Sequence, residues 1–333
     1  MTDKEYRELS DISQSEIKVF RKNRKLYEYI FIKKLGTNEG TKATDKGSLN
    51  HTLLFEEQEF HNRYTHFNGT VPNSPQMKKF FDYMVTEDTN TLTISDMYCN
   101  CYSTKSLKIP EIITKSQALY NELTEYRNFM RDSGHKEMIT PEIETESRTM
   151  IDICLQHPGV IKTLVAGRNN PKFKVYKEKV IRWVYNGIKC KEKADEIHVD
   201  IENRIIYVYD YKTTKADNMK GFISAIKYYG YDTQDSFYST GVNHWAEETF
   251  GLDFQIKFRF IPQNTNFPYN VLDVVEISED DREAAYIEWT KDIEELQRCK
   301  ETGNFDNPAA YSETGVNLIK LNNFDSVVLA DGF

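Results

Sequence analysis

Two runs rich in β-formers, VIRWVYNGIKCKEKADEIHVD and IENRIIYVYDYKTT, follow one another across the turn-like residues Asp200–Asn203. Their pairing constrains this chain more than anything else in it. After them the period changes. FISAIKYYGYDTQDSFYSTGVNHWAEE places apolar residues at Phe222, Ile226, Tyr229, Phe237 and Val242, which predicts a long helix broken near Gly230. FQIKFRFIP and YNVLDVVEIS read as further strands, and DREAAYIEWTKDIEELQRCK as an amphipathic helix. Strands bounded by long helices make an α/β core.

The first half reads as helical. Ser13-Gln-Ser-Glu16 has the form of a capping box opening a helix over IKVFRKNRKLYEYIF. A loop, LGTNEGTKATDKG, carries Gly36, Gly40 and Gly47 but fails the phosphate-loop spacing. SLNHTLLFEEQEFHNRY then reads as a helix with Leu49, Leu53, Leu54 and Phe60 inward. Residues of about 70–148 are polar with a mostly helical pattern, and RTMIDICLQHPGVIKTLVAG is a helix broken at Pro158. The division expected is a helical region over 1–148, a core over 149–310 and a loosely held tail over 311–333, together making one compact domain.

With 39% hydrophobic and 29% charged residues, the 333-residue chain is of the globular class. No apolar run approaches the roughly 18 residues of a membrane span, and the opening MTDKEYRELSDISQSE lacks the pattern of a secretory signal. The five cysteines form no C-x-x-C pair, which disfavours a zinc ribbon or redox motif. The expected compartment is a reducing cytoplasm. The net charge of −9 argues against a generic nucleic-acid coat, but it is unevenly spread. Lys162–Lys193 holds ten basic residues against Glu178 and Glu192, while 279–306 holds ten acidic against four basic. The basic segment could engage a polyanion, or could be an ordinary solvated face.

The chemistry concentrates at Asp195 and at Asp210-Tyr-Lys212. Residues i and i+2 of a strand share a face, so Asp210 and Lys212 point together. A hairpin around Asp200–Asn203 brings Asp195 near them. Two carboxylates and an ammonium converging in this way would be expensive unpaired. A divalent cation between the carboxylates would settle the electrostatics and act as a Lewis acid for phosphoryl chemistry. The bare pattern also fits a surface strand of alternating charges, but here it ends a strongly apolar strand.

At this point KCKEKADEIHVD, RIIYVYDYKTT and GYDTQDSFY together resemble the core of the PD-(D/E)XK nucleases, in their RecB-like branch and closest to the exonuclease VIII (RecE-type) group of phages and prophages. Gln234-Asp-Ser-Phe-Tyr238 fits that family's Q-x-x-x-Y, and Gly47-Ser-Leu-Asn-His51 its upstream helix with a histidine. Glu178 in YKEKVIRW fits its glutamate one strand before the first aspartate. ISQSEIKVFRKN resembles its opening segment, and Asn266-Phe-Pro-Tyr269 its late turn. Lys193-Ala194 stands where the family usually has Arg-Pro, and 70–148 matches poorly, as a lineage insertion would.

The resemblance implies a central mixed sheet flanked by helices. It implies Mg²⁺, with Mn²⁺ as a substitute, held by Asp195, Asp210, His51, Glu178 and the main-chain carbonyl of Tyr211. Lys212 would act on the attacking water, and Gln234 and Tyr238 would position the site. From the residues alone, His51 could equally be a core histidine, Glu178 a balance to Lys177 and Lys179, and Tyr238 a core aromatic. Arg182, Lys189, Lys191, Lys193, Thr213 and Thr214 would contact DNA. The cysteines do not fit the iron–sulfur relatives, so no cluster is expected. The implied function is a 5′→3′ exonuclease acting on double-stranded DNA ends in a bacterial or phage-infected cytoplasm. It would be a ring-shaped homo-oligomer feeding a strand-annealing partner. An endonuclease, a single-strand nuclease and a silent DNA- or protein-binding module are the alternatives.

Overall fold

The structure, a computed structural model, describes residues 3–36, 42–86, 92–134 and 136–306. The tail expected over 311–333 lies outside the described residues. Two compact units are present: Met1–Glu56 with Arg148–Phe333, and Glu57–Ser147. The helices are α1 (Asp3–Glu8), α2 (Gln14–Lys22), α3 (Arg24–Tyr27), α4 (Lys42–Phe55), α5 (Phe60–Arg63), α6 (Pro75–Val85) and α7 (Ile94–Cys101). They continue with α8 (Ile109–Asp132), α9 (Pro141–Gln156), α10 (Pro158–Val160), α11 (Ala166–Arg168), α12 (Met219–Tyr229), α13 (Tyr231–Phe250) and α14 (Glu279–Thr302). The strands are β1 (Tyr64–His66), β2 (Glu137–Ile139), β3 (Phe173–Tyr185), β4 (Ile188–Asp200), β5 (Ile205–Thr214), β6 (Gln255–Asn264) and β7 (Val275–Glu276).

The first unit holds a five-stranded mixed sheet in the order β3-β4-β5-β6-β7. Pairing is antiparallel except between β5 and β6. Parallel pairing demands a crossover, which α12 and α13 supply, separated at Gly230 by its left-handed φ of 66°. The α/β class, with a mixed sheet flanked by helices, is as expected. Ile197, Val199, Ile206, Val208, Phe258 and Phe260 of the three inner strands are fully buried. That is why β5 reads as an almost unbroken apolar run. On the α13–α14 side, Trp183, Phe237 and Trp289 interlock, with Phe237 and Trp289 5.3 Å apart edge to face.

Several local readings are corrected. VIRWVYNGIKCKEKADEIHVD is two strands, because Asn186 and Gly187 both take positive φ (46° and 81°) and close Tyr185 onto Ile188. Two consecutive positive φ values are the signature of an Asn-Gly hairpin turn. The helix expected over 17–31 breaks at Asn23, whose extended backbone ends α2 and whose side chain accepts from Leu26 N to start α3. The capping box fails at Ser13: its hydroxyl bonds the Glu16 carboxylate (3.3 Å) and makes no cap to the backbone. The glycine-rich loop gives way to α4 at Lys42. YNVLDVVEIS yields only two residues of strand; Val271 makes a single bridge to Gln263 and Leu272 N donates to the Pro262 carbonyl before the chain leaves the sheet.

The second unit has its own small core of Phe80, Met84, Met97 and Leu123, contributed by α6, α7 and α8. Within it β1 and β2 pair in parallel.

Candidate metal centre

The β4/β5 ladder runs from Asp200↔Ile205 to Glu196↔Tyr209. One more step in that register would set Asp195 opposite Asp210. The strands part there instead, and the Asp195 carboxylate accepts the Tyr211 N–H at 3.2 Å. On the other side, β3 pairs with β4 at Lys177↔Glu196 and Lys179↔Ala194 and skips the pair between them. The skipped residue is Glu178, with φ of 49°, a left-handed backbone that costs a non-glycine residue about 1–2 kcal/mol. The two interruptions open the sheet at one spot, and three carboxylates face it.

Helix α4 brings the imidazole. His51 Nε2 lies 3.0 Å from Asp195 Oδ1 and 3.4 Å from Glu178 Oε1. The Lys212 ammonium sits 2.7 Å from Asp210 Oδ2, and Gln234 of α13 donates to Asp210 Oδ1 at 2.6 Å. Lys193 pairs with Glu178. Side chains from α4, β3, β4, β5 and α13 thus meet within one small volume.

Alternation along β5 explains how the helix is held in place. Asp210 and Lys212 face the opening, while Tyr211 between them points the other way. There its hydroxyl donates to Gln263 Oε1 (2.7 Å) and receives a long bond from the buried Asn50 (3.4 Å). Gln263 Nε2 donates to the carbonyls of Met150 and Tyr269, both at 2.8 Å. Asn50 is the neighbour of His51, so this buried polar chain fixes α4 against β5 and β6.

The electrostatics are those of carboxylates crowded out of water. Burial alone would lower the His51 pKa, but the charge and hydrogen bond of Asp195, with Glu178 and Asp210 behind, raise it to about 9. Burial raises Asp210 despite Lys212, with the Asp195 charge adding to the effect. For Asp195 the burial penalty is outweighed by His51 and Lys212, so that carboxyl is held low. Opposite shifts in neighbouring acids are what mutual repulsion produces. Burial also raises Glu178. Lys212, though partly buried, is raised by Asp210, Tyr231 and Asp195 and stays an ammonium.

The donor set fits a divalent cation. His51, Glu56 and Glu178 each offer a ligand atom within 4.8 Å of the others. Oxygens about 2.1 Å from an octahedral ion stand about 3–4 Å apart, the spacing seen around His51 Nε2. Glu178 Oε1 is buried and makes no hydrogen bond, facing the His51 ring at 3.4 Å, and a cation would satisfy it.

Other expected residues lie elsewhere. Lys191 is 3% exposed and donates to the carbonyls of Tyr6 and Leu9, so it tethers α1 and is not available to DNA. Arg182 is committed to the buried Asp11 through two bonds, 2.6 and 3.2 Å. Lys189 is exposed. Thr213 Oγ1 is 3.4 Å from where a Cβ on Gly47 would stand, and Thr214 Oγ1 accepts from Ala216 N. The Tyr238 ring packs against Phe237 and Phe258 at the edge of the core. Glu56, Asn50 and Gln263 went unnoticed in the sequence; Glu56 follows His51 by five residues, just past the end of α4. A cavity of about 460 Å³ near the end of β5, lined by residues including Asp217, Met219 and Leu272, contains none of the expected site residues.

No family model and no curated protein matches this chain. Among solved structures, a protein from Eubacterium rectale described as a "putative exonuclease" superposes with a TM-score of 0.50 at 11% identity, covering 98% of each chain. At that identity the likeness speaks to fold alone. A second, SSO0001, at 16% identity over 74% of this chain and 91% of its own, has a TM-score of 0.24 and carries no argument. No helix among the described residues is long and apolar enough to cross a membrane.

Proposed function

We propose that the chain is a Mg²⁺-dependent deoxyribonuclease on a PD-(D/E)XK-type core, with Mn²⁺ able to substitute. One observation carries this reading: Asp195, Asp210, Lys212, His51 and Glu178, far apart in sequence, converge where β3, β4 and β5 part. Likeness in fold to a protein described as a "putative exonuclease" is consistent with it.

Asp195, Asp210, Glu178 and His51 would hold the cation, with Glu56 beside them and the Tyr211 carbonyl as a further ligand. When bound, the cation supplies a Lewis acid and lowers the pKa of water. Lys212, charged and held by Asp210, directs its ammonium at the developing phosphoryl charge; it is a poor proton acceptor. Gln234 fixes the Asp210 carboxylate. The water oxygen bonds to phosphorus, the P–O3′ bond breaks, and the departing oxygen takes up a proton. The products are a 5′-phosphate and a 3′-hydroxyl.

The finer reading is a 5′→3′ exonuclease on duplex ends. It would work in a bacterial or phage-infected cytoplasm as a ring-shaped oligomer, leaving 3′ tails for an annealing protein. Lys189, Lys193, Thr213 and Thr214 would serve the DNA backbone. The stretch of about 70–148, which falls almost wholly within the unit Glu57–Ser147, would be the lineage insertion. The test is digestion of linear duplex labelled at each 5′ or 3′ end, with Mg²⁺ or EDTA, beside a closed circle. Early release of 5′ label with circles spared is the expected result. Cut circles would make it an endonuclease, and no cleavage with any metal would make it a binding module.

A further inference from the structure

Phe267 is the most solvent-open large apolar side chain among the described residues, at 84% exposure. A single exposed apolar residue is unremarkable on a mobile loop, but this one stands on a firmly bonded turn. Asn264 N donates to the Asn270 carbonyl (2.8 Å), Tyr269 N to the Asn266 carbonyl (2.7 Å) and Asn266 N to Asn264 Oδ1 (2.6 Å). Gln263 ties the Tyr269 carbonyl to the buried polar chain behind the site.

The turn is also joined to the elements that carry the chemistry. Thr265 N donates to the Thr214 carbonyl at 2.9 Å, and Thr214 follows Lys212 by two residues on the same strand. The Tyr269 ring stands edge-on to Phe267 at 5.8 Å, and Lys46 Nζ of α4 is 5.9 Å from the centre of the Tyr269 ring. Lys46 lies five residues before His51. A flat apolar ring is therefore presented on a turn bonded to the strand that carries Lys212, beside a second ring that has a lysine ammonium near it. Those are the two features that a nucleotide matches, through its base and its phosphate.

We propose that Phe267 stacks on a nucleobase of the DNA strand entering the site and so sets how far that strand advances toward Asp210 and Lys212. The proposal rests on the nuclease reading. It needs no sequence preference, because every base has a face to stack.

The test measures affinity for short duplexes in Ca²⁺ after a control digestion confirms that the DNA stays intact in that ion. One duplex has all its bases; the others carry an abasic nucleotide at successive positions from the end. The unsubstituted protein is expected to bind the complete duplex more tightly than the duplex abasic at one position. Phe267→Ala should weaken binding of the complete duplex by about 5- to 100-fold, the range for loss of one stacked base. It should leave binding of that abasic duplex unchanged, and Phe267→Trp should restore the difference. Equal binding by Phe267→Ala and the unsubstituted protein would overturn the stacking role, as would an equal loss on every duplex. If the unsubstituted protein binds no duplex at all, the nuclease reading falls with it. DNA binding and cleavage that ignore Phe267 would remove only the present inference.

Discussion

His51 and Lys212 each stand against an aspartate, at 3.0 and 2.7 Å. The two should answer differently to substitution. His51 is held protonated to about 9, above its ordinary 6.5. Its stabilising contribution is therefore full below about 6.5 and lost as the pH rises through about 9. In metal-free protein its ring signals should titrate near 9 by NMR, and Asp195→Asn should move the midpoint back toward the ordinary value; an unmoved midpoint would contradict the pairing. Lys212→Ala should cut kcat by 100-fold or more, on the order of one lost charge-stabilising donor, with duplex affinity changed little. Equal losses in both would make Lys212 a phosphate contact. Asp210→Asn should abolish cleavage while leaving the circular dichroism spectrum intact. Of these residues, Asp210 and Lys212 were legible in the sequence through strand alternation, and Asp195 through the hairpin at Asp200–Asn203 that folds its strand back on theirs. His51 and Gln234 were reached only through resemblance, since no periodicity links α4 or α13 to a strand, and so was Glu178, which sits where β3 leaves its register. Glu56 had no local signal at all, and Lys191 misled because a lysine in a basic run looks exposed.

Helix α13 crosses the sheet where Gly241 meets it. A Cβ there would stand 2.4 Å from Trp183 Nε1 and 2.5 Å from Glu192 Oε2, and both groups are fully packed. Gly241→Ala should cost about 1–3 kcal/mol, the usual penalty of overpacking, read as a lower urea midpoint. Glu192 itself is 0% exposed, and neither carboxylate oxygen has a hydrogen-bond partner. Burial raises its pKa well above the ordinary range, with Trp183 opposing. The folded protein thus keeps a proton that the unfolded chain loses near pH 4.5, and stability falls as the pH rises past that point. Glu192→Gln should remove this slope, so its melting temperature should gain on the unsubstituted protein between pH 5 and 8; parallel curves would contradict a buried neutral acid. At this scale the sequence was mostly readable: the long apolar periods of β5, α13 and α14 survive in the fold. The Asn186-Gly187 hairpin was readable but overlooked. The break at Asn23 had a local signal, since asparagine is a preferred N-cap and accepts from Leu26 N three residues on; the stunted β7 had none, because the chain leaves the sheet through a bond from Leu272 N to the Pro262 carbonyl.

For the molecule as a whole, the account's central claim is that five separate elements build one metal centre, so binding a cation should be coupled to the fold of the sheet. A ligand that binds only the folded state stabilises it by about 2.7 kcal/mol at a hundredfold excess over Kd. The division into Met1–Glu56 with Arg148–Phe333 and Glu57–Ser147 arises from contacts distant in sequence. Polarity of the chain over 70–148 could suggest an insertion but could not fix its borders. The most direct measurement is calorimetric titration of Mn²⁺ into the metal-free protein and into Asp195→Asn, Asp210→Asn and Glu178→Gln. Saturable binding to the unsubstituted protein, with proton release and loss of affinity in all three variants, is the result expected. Undiminished binding in the variants, or none in the unsubstituted protein, would contradict the metal centre and the nuclease built upon it.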